Sequence, residues 1–343
     1  MPVACAIDSV HPARLRNGSR RRVAGERALD TERRGADARC ATMNLRLAAR
    51  VARLVPARLV NVVAWPVSVV AVVVAPRTRR QVARHQRRVA PHLHRWRIAI
   101  RTVAAFVSYV RYWAETLRMP TISARRIEAG FHVEGFEHIT AGLERGRGVI
   151  LALPHVGGWE WAGRWLVGRG HDVSVVAEIL EPPAVFAEFR RLRESFGFEV
   201  IGLDERAGVA VFDALRANRI VCLLSDRDIQ GNGTSVEFFN ETTTLPAGPA
   251  FFALRSGAPL LPVAVYFTDG GEGHLGVVEA PLDVRRNADV RSDIARITQD
   301  LAGRFEALIS RAPTQWHMFQ PNWPSDASGV RRRDAATLDA ETQ

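Results

Sequence analysis

The first segment with residue types suited to acid–base chemistry lies near the middle of the chain. The apolar run Val149–Leu153 predicts a buried strand, and a proline and two glycines then predict a tight turn into a helix that begins near Trp159. His155 therefore follows the carboxyl end of a strand, and Glu160 lies in the first turn of the next helix. A histidine in this position can take a proton from a hydroxyl group near neutral pH, and a nearby carboxylate can fix its tautomer.

The spacing H-x4-E is a weak signal by itself. A zincin motif needs a second histidine four residues after the first and a third ligand, and neither is present, so we expect no metal here. The turn also lacks the phosphate-binding pattern G-x4-G-K-S/T. The alternative to a catalytic role is that His155 only caps the turn.

A second segment places acidic and basic side chains after another strand. The run Ile220–Leu224 predicts a buried strand that is followed by Ser-Asp-Arg-Asp. Two strand ends in one sheet can converge on one pocket, so Asp226 or Asp228 can meet His155. Arg227 can hold a phosphate or pair with an acid. A purely structural network of Asp228 and Arg227 is the competing interpretation.

The elements that must position these residues begin at about residue 128. Short runs rich in Val and Ile alternate there with helical stretches, which predicts an α/β fold with a central mixed, mostly parallel sheet and helices on both faces. The candidate strands are 131–134, 148–153, 173–177, 199–203, 220–224, 235–238, 262–267 and 275–278. The candidate helices are 159–167, 183–196, 209–216, 248–256 and 292–310.

The composition is that of a globular protein, and its charge is unevenly distributed. The chain has 343 residues and a net charge of +11, its basic residues are all arginines, and its three cysteines are too few for a disulfide framework. Residues 43–118 contain fifteen arginines and one acid. We predict four regions: a disordered tail or wrongly chosen start at 1–42, a basic apolar helical membrane-associating region at 43–127, an α/β body at 128–323 and a disordered tail at 324–343.

Residues 59–75 form an uncharged stretch of 17 residues inside the basic region. As a helix it would span roughly 25 Å, less than the ~30 Å hydrocarbon core of a bilayer. Arginines flank both of its ends, whereas a spanning helix usually has them on one side. We therefore predict an interfacial helix on an anionic bilayer, with a core helix and a spanning helix as alternatives. The aromatic and basic residues that follow also suit nucleic-acid stacking.

Several motifs together resemble the lysophospholipid acyltransferase superfamily, and within it the branch of phosphatidylinositol mannoside and lipid A acyltransferases. They occur in matching order over roughly residues 45–323. The resemblance implies that an acyl chain is moved from acyl-CoA or acyl carrier protein onto a lipid hydroxyl group. The motifs are LPHVGGWEWAG (153–163), VAEILEP (176–182), FRRLRESFGFEVI (189–201), LLSDRDIQGNGTSVEFFNETTTLPAGPAFFALRSGAPLLPV (223–263) and QWHMFQPNW (315–323).

The resemblance also implies roles for individual residues. It makes His155 the general base and Asp226 its acidic partner, at a position where many relatives have a glutamate. Glu160 matches the second acid of the family motif. Glu178 and Arg193 match residues that shape the site or bind a headgroup.

Further substrate contacts follow from the chemistry that the resemblance implies. Arg227 or backbone N–H groups would hold the oxyanion. The apolar groove for the acyl chain would use Trp159, Trp161, Trp165 or Leu166, each of which can equally be an ordinary core residue.

The predicted function is the transfer of an acyl chain from acyl-CoA to a mannose hydroxyl group of a phosphatidylinositol mannoside. We expect no metal or prosthetic cofactor, and as partners the acyl-CoA donor, the glycolipid acceptor and an anionic membrane surface, but no nucleic acid. The predicted location is peripheral or monotopic, on the cytoplasmic face of the cell membrane. The alternatives are another glycolipid or lysophospholipid acceptor, or a nucleic-acid- or lipid-binding protein without catalysis.

Overall fold

The computed structural model describes residues 42–54, 57–268, 273–287 and 289–326. The predicted tails therefore lie outside the described residues, except for residue 42 and residues 324–326. Residues 324–326 are helical and Asp326 is buried, so the ordered body continues slightly beyond the predicted boundary at 323.

A seven-stranded sheet forms the centre of the molecule, in the order β1-β9-β8-β2-β5-β3-β4. Its neighbouring strands are parallel except for β8 and β9, which are antiparallel, so the predicted mixed, mostly parallel sheet is confirmed. A separate antiparallel hairpin consists of β6 and β7. The strands are β1 (Phe131–Glu134), β2 (Val149–Leu153), β3 (Val173–Ala177), β4 (Glu199–Gly202), β5 (Ile220–Leu224), β6 (Thr234–Phe238), β7 (Glu241–Leu245), β8 (Leu260–Phe267) and β9 (His274–Val278).

Strand β2 lies in the middle of the sheet, between β8 and β5, and all five of its residues are buried. Ile150 and Ala152 pack into the core on one face of the sheet, and Leu151 and Leu153 pack into the core on the other. A central strand covered on both faces has no polar side, which explains its uninterrupted apolar sequence.

Helices cover both faces of the sheet. The face of Ile150 is covered by α9, α10, α11 and the hairpin, and the face of Leu151 by α5 to α8. The helices of the body are α5 (Ala124–Ala129), α6 (Phe136–Leu143), α7 (Trp159–Gly168), α8 (Pro183–Glu194), α9 (Ala207–Arg216), α10 (Gly248–Ser256) and α11 (Val290–Arg311).

Strand β7 is the strand that the sequence did not predict. Its sequence ETTTL has one large apolar residue, so it gives no clear apolar pattern. It pairs with β6 through a turn in which Phe239 and Asn240 both have positive φ angles, the requirement of a tight hairpin. The short helices α5 and α6 also lay outside the predicted elements.

The region before the body is helical, with α1 at 42–54, α2 (Ala57–Val74), α3 (Pro76–Val89) and α4 (Arg95–Arg118). Helix α2 is half-buried: Ala64 and Ser68 are buried, whereas Val62 and Trp65 are exposed. Within the described residues, no single helix is long and apolar enough to cross a membrane. Only the pair α2 and α3, bent by 105°, meets that criterion by length and composition.

Candidate active site

The carboxyl ends of β2 and β5 bring His155 and Asp226 together. The two strands are adjacent and parallel, with Leu153 opposite Leu224. The imidazole Nδ1 of His155 lies 2.5 Å from Oδ1 of Asp226, and the backbone N–H of His155 donates to Oδ2 at 3.0 Å. The aspartate therefore holds both the ring and the backbone of the histidine.

Asp226 is fully buried, and a third donor reaches it. The indole Nε1 of Trp316 donates to its Oδ2 at 2.7 Å. Burial alone raises the pKa of Asp226, but the adjacent imidazole and the indole N–H outweigh burial and hold this pKa below its usual value. The ionised carboxylate only accepts hydrogen bonds, so Nδ1 of His155 carries the proton of this contact.

The segment around Trp316 crosses the turn that contains His155. The backbone N–H of His317 donates to the carbonyl of His155 at 2.7 Å, and that of Gly157 donates to the carbonyl of Gln315 at 2.9 Å. Gly157 has a φ of 60°, and a Cβ atom there would lie 2.0 Å from the carbonyl oxygen of Val265. Only glycine fits at position 157, so this glycine of the motif is needed to form the turn that holds His155.

Glu160 lies near the site but has other partners. Its Oε1 accepts hydrogen bonds from the hydroxyl of Tyr112 at 2.7 Å and from Nη2 of Arg193 at 3.1 Å. Its Oε2 is buried, with no hydrogen-bond partner among the described residues. Of the two predicted acids, Asp226 is thus the one that contacts His155, and Glu160 instead joins helices α4, α7 and α8.

Glu178 and Arg227 form an ion pair beside the dyad. Nη2 of Arg227 donates to Oε2 of Glu178 at 2.8 Å, and both side chains are largely buried. Nε of Arg227 is buried and has no partner within the described part of the chain. The pair therefore contains one buried donor without a partner among the described residues.

Asp228 does not meet His155 and organises the following loop instead. Its carboxylate accepts hydrogen bonds from the backbone N–H groups of Gly231 and Gly233 and from the hydroxyl of Thr244, at 2.8 to 2.9 Å. Asp228 therefore has a structural role, but not in the network with Arg227 that the sequence suggested, because Arg227 pairs with Glu178.

A large apolar cavity of about 1410 Å³ opens beside His155. Trp159, Trp165 and Leu166 line it, as proposed for the acyl groove. Trp161 does not: its indole stacks on His274 at 4.4 Å and donates to the carbonyl of Ile127. Trp161 is thus an ordinary core residue, the alternative that the sequence left open, because its side chain packs beside β9.

Three residues near the dyad received no role from the sequence. His317 is buried, and its Nε2 lies 2.9 Å from the hydroxyl oxygen of Ser108. Burial, with a smaller contribution from nearby His155, lowers the pKa of His317 to about 3, so its ring is neutral. Tyr109 and Tyr112 of α4 line the same cavity. The sequence signals that could have identified these residues were the motif QWHMFQPNW for His317 and the spacing of the aromatic residues in α4 for the two tyrosines.

Metal ligands are not clustered in the part of the chain that the structure describes. No group of three or more His, Cys, Asp or Glu side chains there is arranged to hold a metal ion. Cys222 lies in β5, and burial raises the pKa of its thiol to about 12.

A histidine–aspartate dyad thus lies at the rim of a mixed sheet, beside a large apolar cavity, and such a histidine can accept a proton from a hydroxyl group. Sequence comparison defines the class of protein. The chain belongs to the bacterial lipid A biosynthesis acyltransferase family, whose profile matches residues 48–325.

Curated relatives are also similar to this chain. The phosphatidylinositol mannoside acyltransferase of Mycobacterium tuberculosis strain H37Rv is 43% identical over 234 residues, which cover 67% of this chain and 72% of the relative. The protein of the same name from Mycolicibacterium smegmatis is 41% identical over 238 residues, which cover 68% of this chain and 76% of the relative. The family resemblance inferred from the motifs is thereby confirmed.

Proposed function

We propose that this acyltransferase moves a fatty acyl chain from acyl-CoA to a mannose hydroxyl group of a phosphatidylinositol mannoside. The names of the relatives support the acceptor, and the family supports the type of reaction. The observation that carries the mechanism is the contact of 2.5 Å between Nδ1 of His155 and Oδ1 of Asp226, beside the apolar cavity.

His155 acts as the general base through Nε2. It takes the proton of the acceptor hydroxyl while the hydroxyl oxygen forms a bond to the thioester carbonyl carbon. Asp226 holds the proton on Nδ1 and stabilises the imidazolium that forms. When the tetrahedral intermediate collapses, the C–S bond breaks and the imidazolium returns the proton to the leaving thiolate. The products are an ester and free CoA, and no covalent enzyme intermediate is needed.

The oxyanion of the intermediate needs donors near His155. Arg227 is the side-chain candidate because its buried Nε has no partner among the described residues. Its ion pair with Glu178 holds the guanidinium in one orientation. Backbone N–H groups at the start of α7 are the second source of donors.

The acyl chain occupies the apolar cavity and the glycolipid headgroup lies at its mouth. Trp159 packs edge-on against His155, with ring centres 5.5 Å apart, so it can cover the reacting thioester. Arg193 and Glu178 lie on the cavity wall, where they contact the polar headgroup. The reaction requires no resident cofactor.

The N-terminal helices place the enzyme on an anionic membrane surface as a peripheral or monotopic protein. They expose large apolar side chains and carry many arginines, and both features favour an interfacial position. We assign the cytoplasmic face, because acyl-CoA is a cytoplasmic donor. The exposed residues are Met43, Leu47, Val51, Leu54, Val62, Val63, Trp65, Val70, Val73, Val74, Trp96 and Ile100.

The test is acyl transfer from palmitoyl-CoA to purified phosphatidylinositol mannosides by the purified full chain. His155→Ala and Asp226→Asn are each expected to lower kcat about 10²- to 10⁴-fold, the range for general-base catalysis and its orienting acid. Asp213→Asn, at an exposed position, is the control and keeps wild-type activity. Wild-type kcat in His155→Ala would disprove the mechanism, and transfer only to other lipids would disprove the acceptor.

A further inference from the structure

We propose that Trp316 is a positioning residue for the catalytic dyad. Its indole N–H holds the Asp226 carboxylate in the orientation in which the other carboxylate oxygen accepts the Nδ1 proton of His155. This inference rests on the proposed function, in which His155 is the base. It gives the motif QWHMFQPNW a role in catalysis that is indirect, because Trp316 contacts Asp226 and not the substrate.

The hydrogen bonds of Asp226 divide between its two oxygens. Oδ1 receives the imidazole, and Oδ2 receives the backbone N–H of His155 and the indole N–H of Trp316. Asp226 is fully buried, so water does not replace a lost donor. Without the indole, Oδ2 keeps one donor, so the carboxylate is less firmly oriented and its negative charge is less compensated by donors.

Trp316 itself lies outside the reaction space. Its side chain is 1% exposed, and it is absent from the cavity lining, to which its neighbours His317 and Met318 belong. The ring packs against Phe239 and His85, with ring centres 5.7 Å and 5.5 Å away. The indole therefore reaches Asp226 from behind the dyad, and a direct role in substrate binding is excluded by its position.

Helix α3 holds the segment that presents the indole. We call residues 313–326 the C-terminal strap. Gln86 donates from α3 to the carbonyl of Pro313 at 2.8 Å, and Nε2 of His85 lies 2.9 Å from the carbonyl oxygen of Gln320. Arg88 pairs with the buried carboxylate of Asp326 at 2.9 Å. The strap is thus fixed at its start, middle and end by one helix.

The strap also holds the main chain at Asp226. The side-chain amide of Asn322 donates to the Asp226 carbonyl at 3.1 Å. Trp316 and Val156 form an isolated β-bridge next to His155. Both members of the dyad are therefore bonded to the same segment, which sets their relative position.

The test compares two tryptophans of the strap. Trp316→Phe removes the donor to Asp226 and is expected to lower kcat about 10- to 100-fold, the range for a lost hydrogen bond to a charged group, with KM nearly unchanged. It also moves the acidic limb of the pH profile to higher pH. The reason is that a carboxylate with one donor fewer attracts the proton of the imidazolium more strongly.

Trp323→Phe is the matched control. Its indole is also buried beside His85, but it donates to the carbonyl of Phe238 at 3.1 Å and does not contact Asp226. This variant is expected to lose stability, with an unshifted pH profile. A structural role of Trp316 alone would make the two variants behave alike.

A second replacement keeps the shape of the ring. Benzothienylalanine at position 316 replaces the indole N–H by sulfur in the full chain, so it tests the donor if Trp316→Phe does not fold. The same shift of the acidic limb supports the proposal, and a wild-type profile overturns it. Wild-type activity of His155→Ala would instead overturn the proposed function, so the two failures are distinguishable.

Discussion

Asp226 has a short side chain, yet its carboxylate reaches His155. The backbone N–H of His155 binds the same carboxylate as its imidazole, and these two bonds hold the turn close to the end of β5. The indole N–H of Trp316 is the third donor to the Asp226 carboxylate. Three contacts thus fix the short carboxylate of Asp226 against the imidazole ring.

Glu160 is the second acid at this scale, and a separate experiment tests its predicted catalytic role. Its contacts with Tyr112 and Arg193 place it in a network that shapes the cavity wall. Glu160→Gln removes the charge that pairs with Arg193, so we expect the KM for the glycolipid to rise about 10-fold, with a smaller change in kcat. Steady-state kinetics with varied acceptor concentration measure both constants.

Tyr112→Phe serves as the comparison for Glu160, because it removes one hydrogen bond to the same oxygen and leaves the charge. It should raise KM less than Glu160→Gln does. A loss of kcat in Glu160→Gln as large as that in Asp226→Asn would show that Glu160 takes part in the chemistry.

At the scale of elements, helix α4 has an exposed part and a part that lines the cavity, and the sequence did not distinguish them. Helix α4 exposes Trp96 and Ile100 but lines the cavity with Tyr109 and Tyr112. Glu115, the one acid of residues 43–118, is buried, where Oε2 lies 2.9 Å from Nε2 of His274 in β9. This contact joins helix α4 to the sheet in which the strands that precede His155 and Asp226 lie.

Helix α3 gives the protein a pH-dependent stability. Burial lowers the pKa of His85 to about 4, so the unfolded chain binds more protons than the folded chain between about pH 6.5 and pH 4. Stability is therefore full above pH 6.5 and falls as the pH is lowered through this window. We expect His85 to contribute a loss of about 2 kcal/mol between pH 7 and pH 5.

Denaturant unfolding at several pH values measures this loss. His85→Gln should reduce the dependence between pH 7 and pH 5 and leave the part that comes from buried His317, whereas His92→Gln, at an exposed position just after the same helix, should leave the dependence unchanged. An identical slope in both variants would contradict the assignment to His85.

At the scale of the whole molecule, charge and exposed apolar surface occur in the same region. Residues 43–118 have a net charge of +14, and residues 119–343 have −7. Most of the exposed large apolar side chains of the described chain lie in α1, α2 and α4. Such a combination favours contact with an anionic bilayer, which would bring the cavity close to its lipid substrates.

Membrane binding is tested by replacing exposed apolar residues of these helices. Trp65→Ser with Ile100→Ser removes two side chains that are each 60% exposed. We expect at least about a 10-fold weaker partition into phosphatidylglycerol vesicles, because each buried large side chain contributes on the order of 1.5–3 kcal/mol. Vesicle sedimentation measures the effect.

The control for membrane binding is Val209→Ser with Val290→Ser, which alters exposed apolar residues of the α/β body. It should leave the partition unchanged. Equal binding by both double variants would contradict the assignment of the N-terminal helices. Strong, steeply salt-dependent binding to duplex DNA without vesicle binding would favour the nucleic-acid alternative.

The sequence by itself determined the order of most strands and helices and the two strand ends that carry the site. These features are local: an apolar run, a proline and a pair of glycines within a few residues fix β2, the turn at His155 and the start of α7. The motif order was also sufficient to recognise the family.

Only the tertiary structure decided that Asp226, and not Glu160 or Asp228, contacts His155, and that Trp316 binds this aspartate. Asp226 and His155 are 71 positions apart, and Trp316 and Asp226 are 90 apart, so no local pattern pairs them. The partners of helix α3 were also decided by the tertiary structure. Its basic sequence resembles a membrane-facing helix, but its residues His85 and Gln86 bind the C-terminal strap. Local periodicity fixes the elements, whereas the partner of a buried polar group depends on the packing of distant segments.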